Sequence, residues 1–172
     1  MKRLLSMLGL TVVCAFSPLF AANVEPLKSV PYISLDKYLG KWYEIARYEN
    51  SFEEGCVGAT AEYWMEDEVL RIINRCFDEK GLEIDYAKGR ANVVENSGNS
   101  QLRVTFFWPF YGNYWVVKLA EDYRYAIVGE PSRQYLWILA RDKVLREDDT
   151  RTILEALPHL GYDGAKLYWT KN

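Results

Sequence analysis

The residues that could support catalysis in this sequence are few and dispersed. The single histidine, His159, lies near the end of a predicted helix, and the sequence places no Ser or Cys beside it for nucleophilic attack. The carboxylates form no pair that can be assigned to one site for acid–base chemistry. Neither a glycine-rich phosphate loop nor a metal-ligand spacing occurs. We therefore expect a binding protein that is not an enzyme and that holds neither a metal nor a cofactor.

The N-terminus has the pattern of an export signal. A basic start precedes the apolar run Leu4–Val13, and Ala21 and Ala22 further on offer small residues for cleavage. The apolar run is too short to span a bilayer comfortably. We predict that residues 1–22 are a signal peptide, removed by cleavage after Ala21 or Ala22.

Cys14 leaves a second processing route open. Bacterial lipoproteins are cut just before a cysteine that is then acylated, and that cleavage prefers a small residue before the cysteine. Val12 and Val13 stand there instead, which is a poor match. The lipoprotein route is therefore the less favoured alternative.

Length and net charge limit the number of domains and the classes of partner that the chain can bind. Removing residues 1–22 from a chain of 172 leaves 150, which is enough for one domain with one core. The formal net charge of −3 becomes −5 when Lys2 and Arg3 leave with the signal. Such a chain has no electrostatic reason to bind nucleic acid or an anionic membrane face.

Cys56 and Cys76 are the cysteines that remain, and an even pair in an exported protein predicts a disulfide. A metal site would need more ligands. A hairpin with its turn at Glu66 and Asp67 would bring the two cysteines opposite each other to within one residue, close enough for a bridge.

The rest of the chain consists of short β-type runs broken by turn residues, which predicts a sandwich or a barrel. Gly89 indicates a bend or bulge, the turn out of the fifth run is placed at residues 108–112, and a helix capped by Asp148 or Asp149 closes with Pro158 and Gly161. The predicted strands cover residues 42–49, 57–65, 69–77, 82–95, 102–107, 113–119, 125–129, 135–140 and, after the helix, 165–170.

This order favours an all-β fold: an eight-stranded antiparallel up-and-down β-barrel with one C-terminal α-helix and a short final strand. A closed barrel of eight strands encloses room for one small ligand. In the second strand Ala59, Ala61 and Tyr63 share one face by alternation, and the small residues there leave space.

Three short motifs carry a family resemblance. Gly40, Trp42 and Tyr43 match the G-x-W-Y signature of lipocalins. Asp122 and Tyr123 resemble the second lipocalin motif, with Glu121 in place of the usual Thr, and Arg141 resembles the third. Their order along the chain also fits, so the sequence resembles the lipocalin family over residues 35–172, after an N-terminal extension at residues 23–34.

Further segments are similar to bacterial lipocalins of the outer-membrane lipoprotein (Blc) type. They lie at residues 42–48, 52–53, 106–112 and 135–139. This resemblance implies storage or transport of lysophospholipids or fatty acids for envelope maintenance under stress. It implies a location in the periplasm, free or at the periplasmic face of the outer membrane, and a homodimer. It also places Trp42 at the closed end of the barrel, with Arg141 stacked over its ring.

Ligand contacts are expected from inward faces nearer the open end. The predicted cavity wall consists of Ala59, Ala61, Tyr63, Phe106, Tyr114, Val116, Tyr135 and Trp137. The alternative is that these side chains only pack a filled core. Exposed aromatics in loops, namely Phe52, Trp108 and Phe110, indicate a mouth or an interface.

The charged residues on these strands leave further alternatives open. A polar head group would need partners near the mouth, or these residues form a solvated outer face: Arg71, Arg75, Lys88, Arg90 and Arg103. Glu44 either is a buried carboxylate or is turned outward by a bulge.

Two rival functions remain from the sequence. One is the binding of a flat hydrophobic pigment or haem-like ring, although a single histidine argues against strong haem ligation. The other is a protein-interaction module with a filled barrel, whose loops bind a partner.

Overall fold

The computed structural model describes residues 25–172, so the predicted signal peptide, its cleavage sites and Cys14 lie outside the described part. No helix among the described residues is long and apolar enough to cross a lipid bilayer. The helices and strands are α1 (Leu35–Tyr38), β1 (Gly40–Tyr48), β2 (Gly58–Glu66), β3 (Val69–Phe77), β4 (Glu83–Val93), β5 (Gln101–Phe107), β6 (Phe110–Leu119), β7 (Tyr125–Gly129), β8 (Leu136–Ala140), α2 (Glu147–His159) and β9 (Leu167–Trp169).

The strands close into a barrel. Neighbours from β2 to β8 pair antiparallel in chain order, β8 pairs with β1, and β1 pairs back with β2. This confirms the predicted eight-stranded up-and-down barrel with a C-terminal helix. The extra strand β9 pairs with the last residues of β1, from Ala46 to Tyr48.

The two ends of the barrel differ. The one-turn helix α1 and the start of β1 mark one end, here called the closed end. Because consecutive strands alternate in direction, the connections at residues 49–57, 78–82, 108–109 and 130–135 all lie at the other end, here called the open end. Residues 51–53 of the first connection form a single 3₁₀ turn.

The first hairpin differs from the prediction by one residue. Glu66 pairs with Val69, so the turn consists of Asp67 and Glu68, both in the left-handed region with φ of 49° and 63°. Cys76 therefore pairs with Ala59 and not with Cys56. The disulfide is nevertheless present, because Cys56 lies just before β2 and its Cα comes within 5.2 Å of that of Cys76.

The structure shows no bulge at Gly89 and a shorter turn after β5 than predicted. The pairing of β3 with β4 stays in register through Gly89, so no bulge occurs there. Its missing side chain makes room for Phe106, whose ring would lie 2.7 Å from a Cβ at this position. The turn after β5 contains only Trp108 and Pro109, since β6 already begins at Phe110.

Helix α2 packs against the outside of the barrel through Ile153 and Leu157, both fully buried. It begins at Glu147 after Arg146, and neither predicted aspartate caps it. Asp149 instead forms an ion pair with Arg124 at 2.6 Å, which ties the first turn of the helix to the start of β7. The final strand is shorter than predicted.

Candidate ligand-binding site

The register of the sheet identifies the inner surface of the barrel. Ala61 on β2 lies opposite Asn74 on β3, which lies opposite Ala87 on β4. Residues directly opposite in an antiparallel pair point to the same face. Since Ala61 belongs to the cluster that fills the closed end around Trp42, this row points inward.

The closed half of the barrel is filled by a floor of tyrosines. The hydroxyl of Tyr114 lies 2.7 Å from that of Tyr38 and 2.9 Å from that of Tyr63. Burial raises the pKa of Tyr63 to about 12 and lifts the pKa values of the other two well above the usual range. These phenols are therefore neutral, and together with fully buried Val116 they close the bottom of the interior.

Arg141 seals this end from below. Its guanidinium lies 3.8 Å from the centroid of the Trp42 ring. It also donates hydrogen bonds to backbone carbonyls at the end of α1 and the start of β1, those of Lys37, Tyr38, Leu39 and Lys41. A cation at a helix C-terminus compensates the partial negative charge of those carbonyls.

The other motif residues lie around the same end. Gly40 has a φ of +87°, which other residues adopt only with strain. Tyr123 accepts a hydrogen bond from the Ser34 amide at 2.9 Å. Asp122 pairs with Arg124, whereas Tyr43 packs in the outer cluster beneath α2. Gly40 and Tyr123 thus help to close this end, Asp122 lies at its surface and Tyr43 on the outer face, so none of the four lies on the inner wall of the open half.

The open half has a different inner surface. Toward the open end the inward side chains of β2 and β4 are mostly small, namely Ala59, Ala87 and Gly89, and Asp85 lies further out on the same face of β4. Across the interior stand aromatic rings, with Tyr135 and Trp137 stacked at 5.9 Å between centroids. Inward-facing Ala87 is exposed and Phe106 is 42% exposed, so solvent reaches this part of the interior.

The predicted wall residues therefore lie at two levels. Tyr63, Tyr114 and Val116 belong to the filled floor, and Trp137 borders it. Ala59, Phe106 and Tyr135 lie nearer the open end, with Ala61 between the two levels. The sequence did not identify the small inner face of β4, because only the register with β3 shows which side of that strand points inward.

A buried charged cluster stands in the wall of the open half. Glu44 precedes a bulge in β1 and is 3% exposed. It accepts a hydrogen bond from Arg47 at 2.7 Å. The side chains of Glu44 and Arg47 are only 4% and 5% exposed, respectively. Burial raises the pKa of Glu44 well above the usual range, the Glu53 carboxylate adds to this, and Arg47 opposes it.

Arg47 also holds the connection at residues 49–57. Its Nη2 donates to the carbonyl oxygens of Cys56 at 2.9 Å and Glu53 at 3.3 Å. Beside this contact is a space of about 530 Å³ lined by the same connection, Arg47 and Tyr168. Sequence reasoning noted Glu44 but missed Arg47, because a bulge between them turns both side chains to one face.

The rim of the open end is aromatic. Phe107 and Phe110 stack at 6.2 Å and are 75% and 71% exposed, and Trp108 and Phe52 are equally open to solvent. By their register the basic residues considered for a head group lie on the outer face. Arg71, for example, is opposite outward-facing Trp64 and pairs with Glu66 at 2.9 Å.

Other chemistry finds no support among the described residues. His159 is exposed at the last position of α2. Within residues 25–172 no three His, Cys, Asp or Glu side chains come together as a metal site. The geometry offers a solvent-accessible inner surface in the open half and one buried ion-pair cluster.

Comparison with known proteins agrees with this geometry. Residues 33–172 match the family described as lipocalin-like domain. The chain is 38% identical to the outer membrane lipoprotein Blc of Vibrio cholerae over 86% of this chain and 87% of that protein. It is 33% identical to the Blc of Escherichia coli K12 over 91% of both chains.

More distant proteins share the fold. Temperature-induced lipocalin-1 of Arabidopsis thaliana is 30% identical over 85% of this chain and 83% of that protein. The structure of insecticyanin from the tobacco hornworm Manduca sexta superposes with a TM-score of 0.67 at 21% identity, covering 91% of this chain and 88% of that one. The chain therefore belongs to the lipocalin family and is of the Blc type, which implies that its barrel binds a small hydrophobic ligand.

Proposed function

We propose that this protein binds a single-chain lipid, a lysophospholipid or a fatty acid, in the open half of its barrel, and stores or transports it. The observation that carries the proposal is the inner surface above the tyrosine floor. Small side chains of β2 and β4 face aromatic rings across a space that solvent reaches, as the exposure of Ala87 and Phe106 indicates. A slender apolar chain fits such a space.

The energetics of burial support a lipid tail. Each buried methylene contributes about 0.8 kcal/mol, so a chain of about 12 carbons gains close to 10 kcal/mol before the costs of association. Micromolar or tighter binding remains after those costs. The apolar wall alone discriminates poorly between chain lengths.

The proposed role is binding without catalysis. The buried carboxyl of Glu44 accepts a hydrogen bond from Arg47. His159 is exposed on the outer surface, at the end of α2. The family relatives that the chain matches are named as lipoproteins and lipocalins. When the purified protein is incubated with a lysophospholipid, mass spectrometry should show that the lysophospholipid is chemically unchanged.

The proposed location is the periplasm or the periplasmic face of the outer membrane, with a role in envelope maintenance under stress. The names of the Vibrio and Escherichia relatives support the location. Cell fractionation, with mass spectrometry of the mature N-terminus, tests it. A start after Ala21 or Ala22 is expected, and an acylated Cys14 would replace this proposal with an anchored protein.

Ligand analysis tests the lipid proposal directly. Organic extraction of the purified protein should release fatty acid or lysophospholipid, and adding either to the stripped protein should quench tryptophan emission through Trp137. A visible absorption band in the purified protein would favour the flat-pigment alternative. The absence of both co-purified lipid and tryptophan quenching would contradict the proposal.

We also propose a homodimer that covers the aromatic rim. Phe107, Trp108 and Phe110 form an exposed apolar patch of the kind that marks an interaction surface. Sedimentation of the purified protein should show a dimer that Phe110→Glu converts to a monomer with lipid binding intact. A monomeric wild-type protein at high concentration would refute this.

A further inference from the structure

We propose that the carboxylate of Glu53 occupies, in the unliganded protein, the site that receives the anionic head group of the ligand. The inference rests on the proposed lipid-binding function and specifies the chemistry of the ligand's polar end. It identifies Glu53 as an internal surrogate for a carboxylate or phosphate, carried on a connection that must yield when the ligand binds.

The surroundings of the Glu53 carboxylate combine several hydrogen-bond donors with the buried carboxyl of Glu44, whose pKa Glu53 helps to raise. The Oε2 of Glu53 accepts hydrogen bonds from the Asn50 side-chain amide at 2.7 Å and from the Trp137 indole N–H at 3.0 Å. The Nε of Arg47 lies 3.8 Å from the same oxygen. Three donors from two strands and a connection thus converge on one carboxylate whose side chain is only 18% exposed.

Beside Glu53, Arg47 has one hydrogen-bond donor without an acceptor among the described residues. Its Nε is buried and has no hydrogen-bond partner among residues 25–172, since 3.8 Å is too long for one. Buried guanidinium groups are stabilised by paired, well-directed anions. A free carboxylate or phosphate can approach Nε more closely than Glu53, which the backbone of its 3₁₀ turn restrains.

The place of the cluster fits a head group. Trp137 is a predicted wall residue that faces the interior next to the stacked ring of Tyr135. Arg47 also lines the space of about 530 Å³ that is bordered by the connection at residues 49–57 and by Tyr168. A lipid whose tail lies along Trp137 would therefore bring its polar end to Arg47 and to that space.

Displacement of Glu53 has a structural consequence. The Glu53 side chain and the Arg47 bonds to the carbonyls of Glu53 and Cys56 hold the connection at residues 49–57 against the barrel. When a ligand anion takes the donors of Asn50 and Trp137, Glu53 leaves and its 3₁₀ turn is released. The exposed Phe52 beside it, 5.7 Å from the Tyr135 ring, would move with it.

A conservative substitution tests the surrogate. Glu53→Gln keeps the size and an acceptor oxygen but removes the charge that competes for Arg47. The control Glu79→Gln removes one acidic charge from another connection at the open end, where Glu79 is exposed. Calorimetric titration uses three probes that each carry a twelve-carbon chain: dodecanoate, dodecyl phosphate and uncharged 1-dodecanoylglycerol.

Glu53→Gln should bind dodecanoate and dodecyl phosphate about fivefold more tightly than the wild-type protein, the lower end of ordinary coupling between competing groups. Binding of 1-dodecanoylglycerol should change by less than about twofold, and Glu79→Gln should match the wild-type protein with all three probes. A larger gain for the phosphate than for the carboxylate would assign the site to phospholipid head groups, and the reverse to fatty acids.

Two results would overturn the inference. Equal tightening of charged and uncharged probes would mean that Glu53 only covers the mouth, and unchanged affinity for both anions would mean that no head group meets Arg47. In Arg47→Lys the preference for anions over the uncharged probe should fall, and a preserved preference also refutes the site. If no probe binds even the wild-type protein, it is the lipid proposal that fails.

Discussion

At the scale of single residues, Arg141 does the most to define the closed end. One guanidinium stacks on the Trp42 ring and donates to carbonyls around the end of α1. A planar group with several donors can do both at once, whereas an ammonium cannot. Trp42 supplies the ring under this guanidinium, and Gly40 lies beside it, with its Cβ position 3.7 Å from Nη1 of Arg141.

Replacing Arg141 should therefore lower the stability of the barrel and leave its choice of ligand unchanged. Arg141→Gln loses the stacking and leaves carbonyls short of donors, so the free energy of unfolding should fall by about 2–3 kcal/mol. Urea denaturation measures this, with Arg151→Gln on the exposed face of α2 as the matched control. A loss no larger than that of the control would contradict the assigned role.

The raised pKa of Glu44 predicts an unusual dependence of folding stability on pH. Because its pKa is raised in the folded protein above the ordinary 4.5, the folded state binds more protons than the unfolded state between those two values. The contribution of Glu44 to stability is thus greatest below pH 4.5 and is lost as the pH rises through its raised pKa.

Glu44→Gln removes this proton linkage but keeps an acceptor for Arg47. Its unfolding free energy relative to the wild-type protein should rise with pH above 4.5 and level off once the wild-type carboxyl is ionised. Urea midpoints measured across that range check the sign. A difference that stays constant, or falls, with pH would show that Glu44 is not perturbed.

At the scale of elements, much of the fold was predictable and its interior was not. Alternation within β2 and the turn residues between runs indicated the strands and the barrel. The inward face of β4 could not be assigned from the sequence, because only the pairing with β3 shows that Ala87 and Gly89 point into the barrel. The Arg47–Glu53 contact depends on how residues 49–57 fold back over the barrel, which no local pattern encodes.

The disulfide links this connection to β3. Cys56 and Cys76 close a loop of 20 residues, so their bridge should contribute about 3 kcal/mol to stability by limiting the unfolded chain. Cys56→Ser with Cys76→Ser should lower the unfolding free energy by that amount. The wild-type protein under reducing conditions should match the double variant, and an unchanged midpoint would contradict the assignment.

Helix α2 should affect stability and leave ligand binding unchanged, because it packs on the outer surface. Leu157 is fully buried between the helix and the barrel, and Leu154 on the same helix is 39% exposed. Leu157→Ala should cost about 3 kcal/mol and Leu154→Ala much less. The dissociation constant for dodecanoate should stay unchanged in both variants, and weakened binding in the Leu157 variant would mean that the helix shapes the interior.

At the scale of the whole molecule, the barrel is divided into a filled half and an open half. The tyrosine floor, Trp42 and Arg141 close one end with neutral hydrogen bonds and stacking. The other half keeps small side chains opposite aromatic rings, under a rim of exposed aromatics. The proposed lipid binding and the proposed head-group site both require the ligand to lie in that open half.

Ala87 and Lys88 provide the direct test of this claim. They are adjacent and exposed on β4, but Ala87 points into the barrel and Lys88 away from it. Both variants, Ala87→Phe and Lys88→Phe, should fold, and calorimetric titration with dodecanoate compares them. If the ligand lies in the open half, Ala87→Phe should bind dodecanoate at least about tenfold more weakly, equivalent to about 1.4 kcal/mol, and Lys88→Phe should keep wild-type affinity. Wild-type affinity in Ala87→Phe would place the ligand elsewhere and contradict the account.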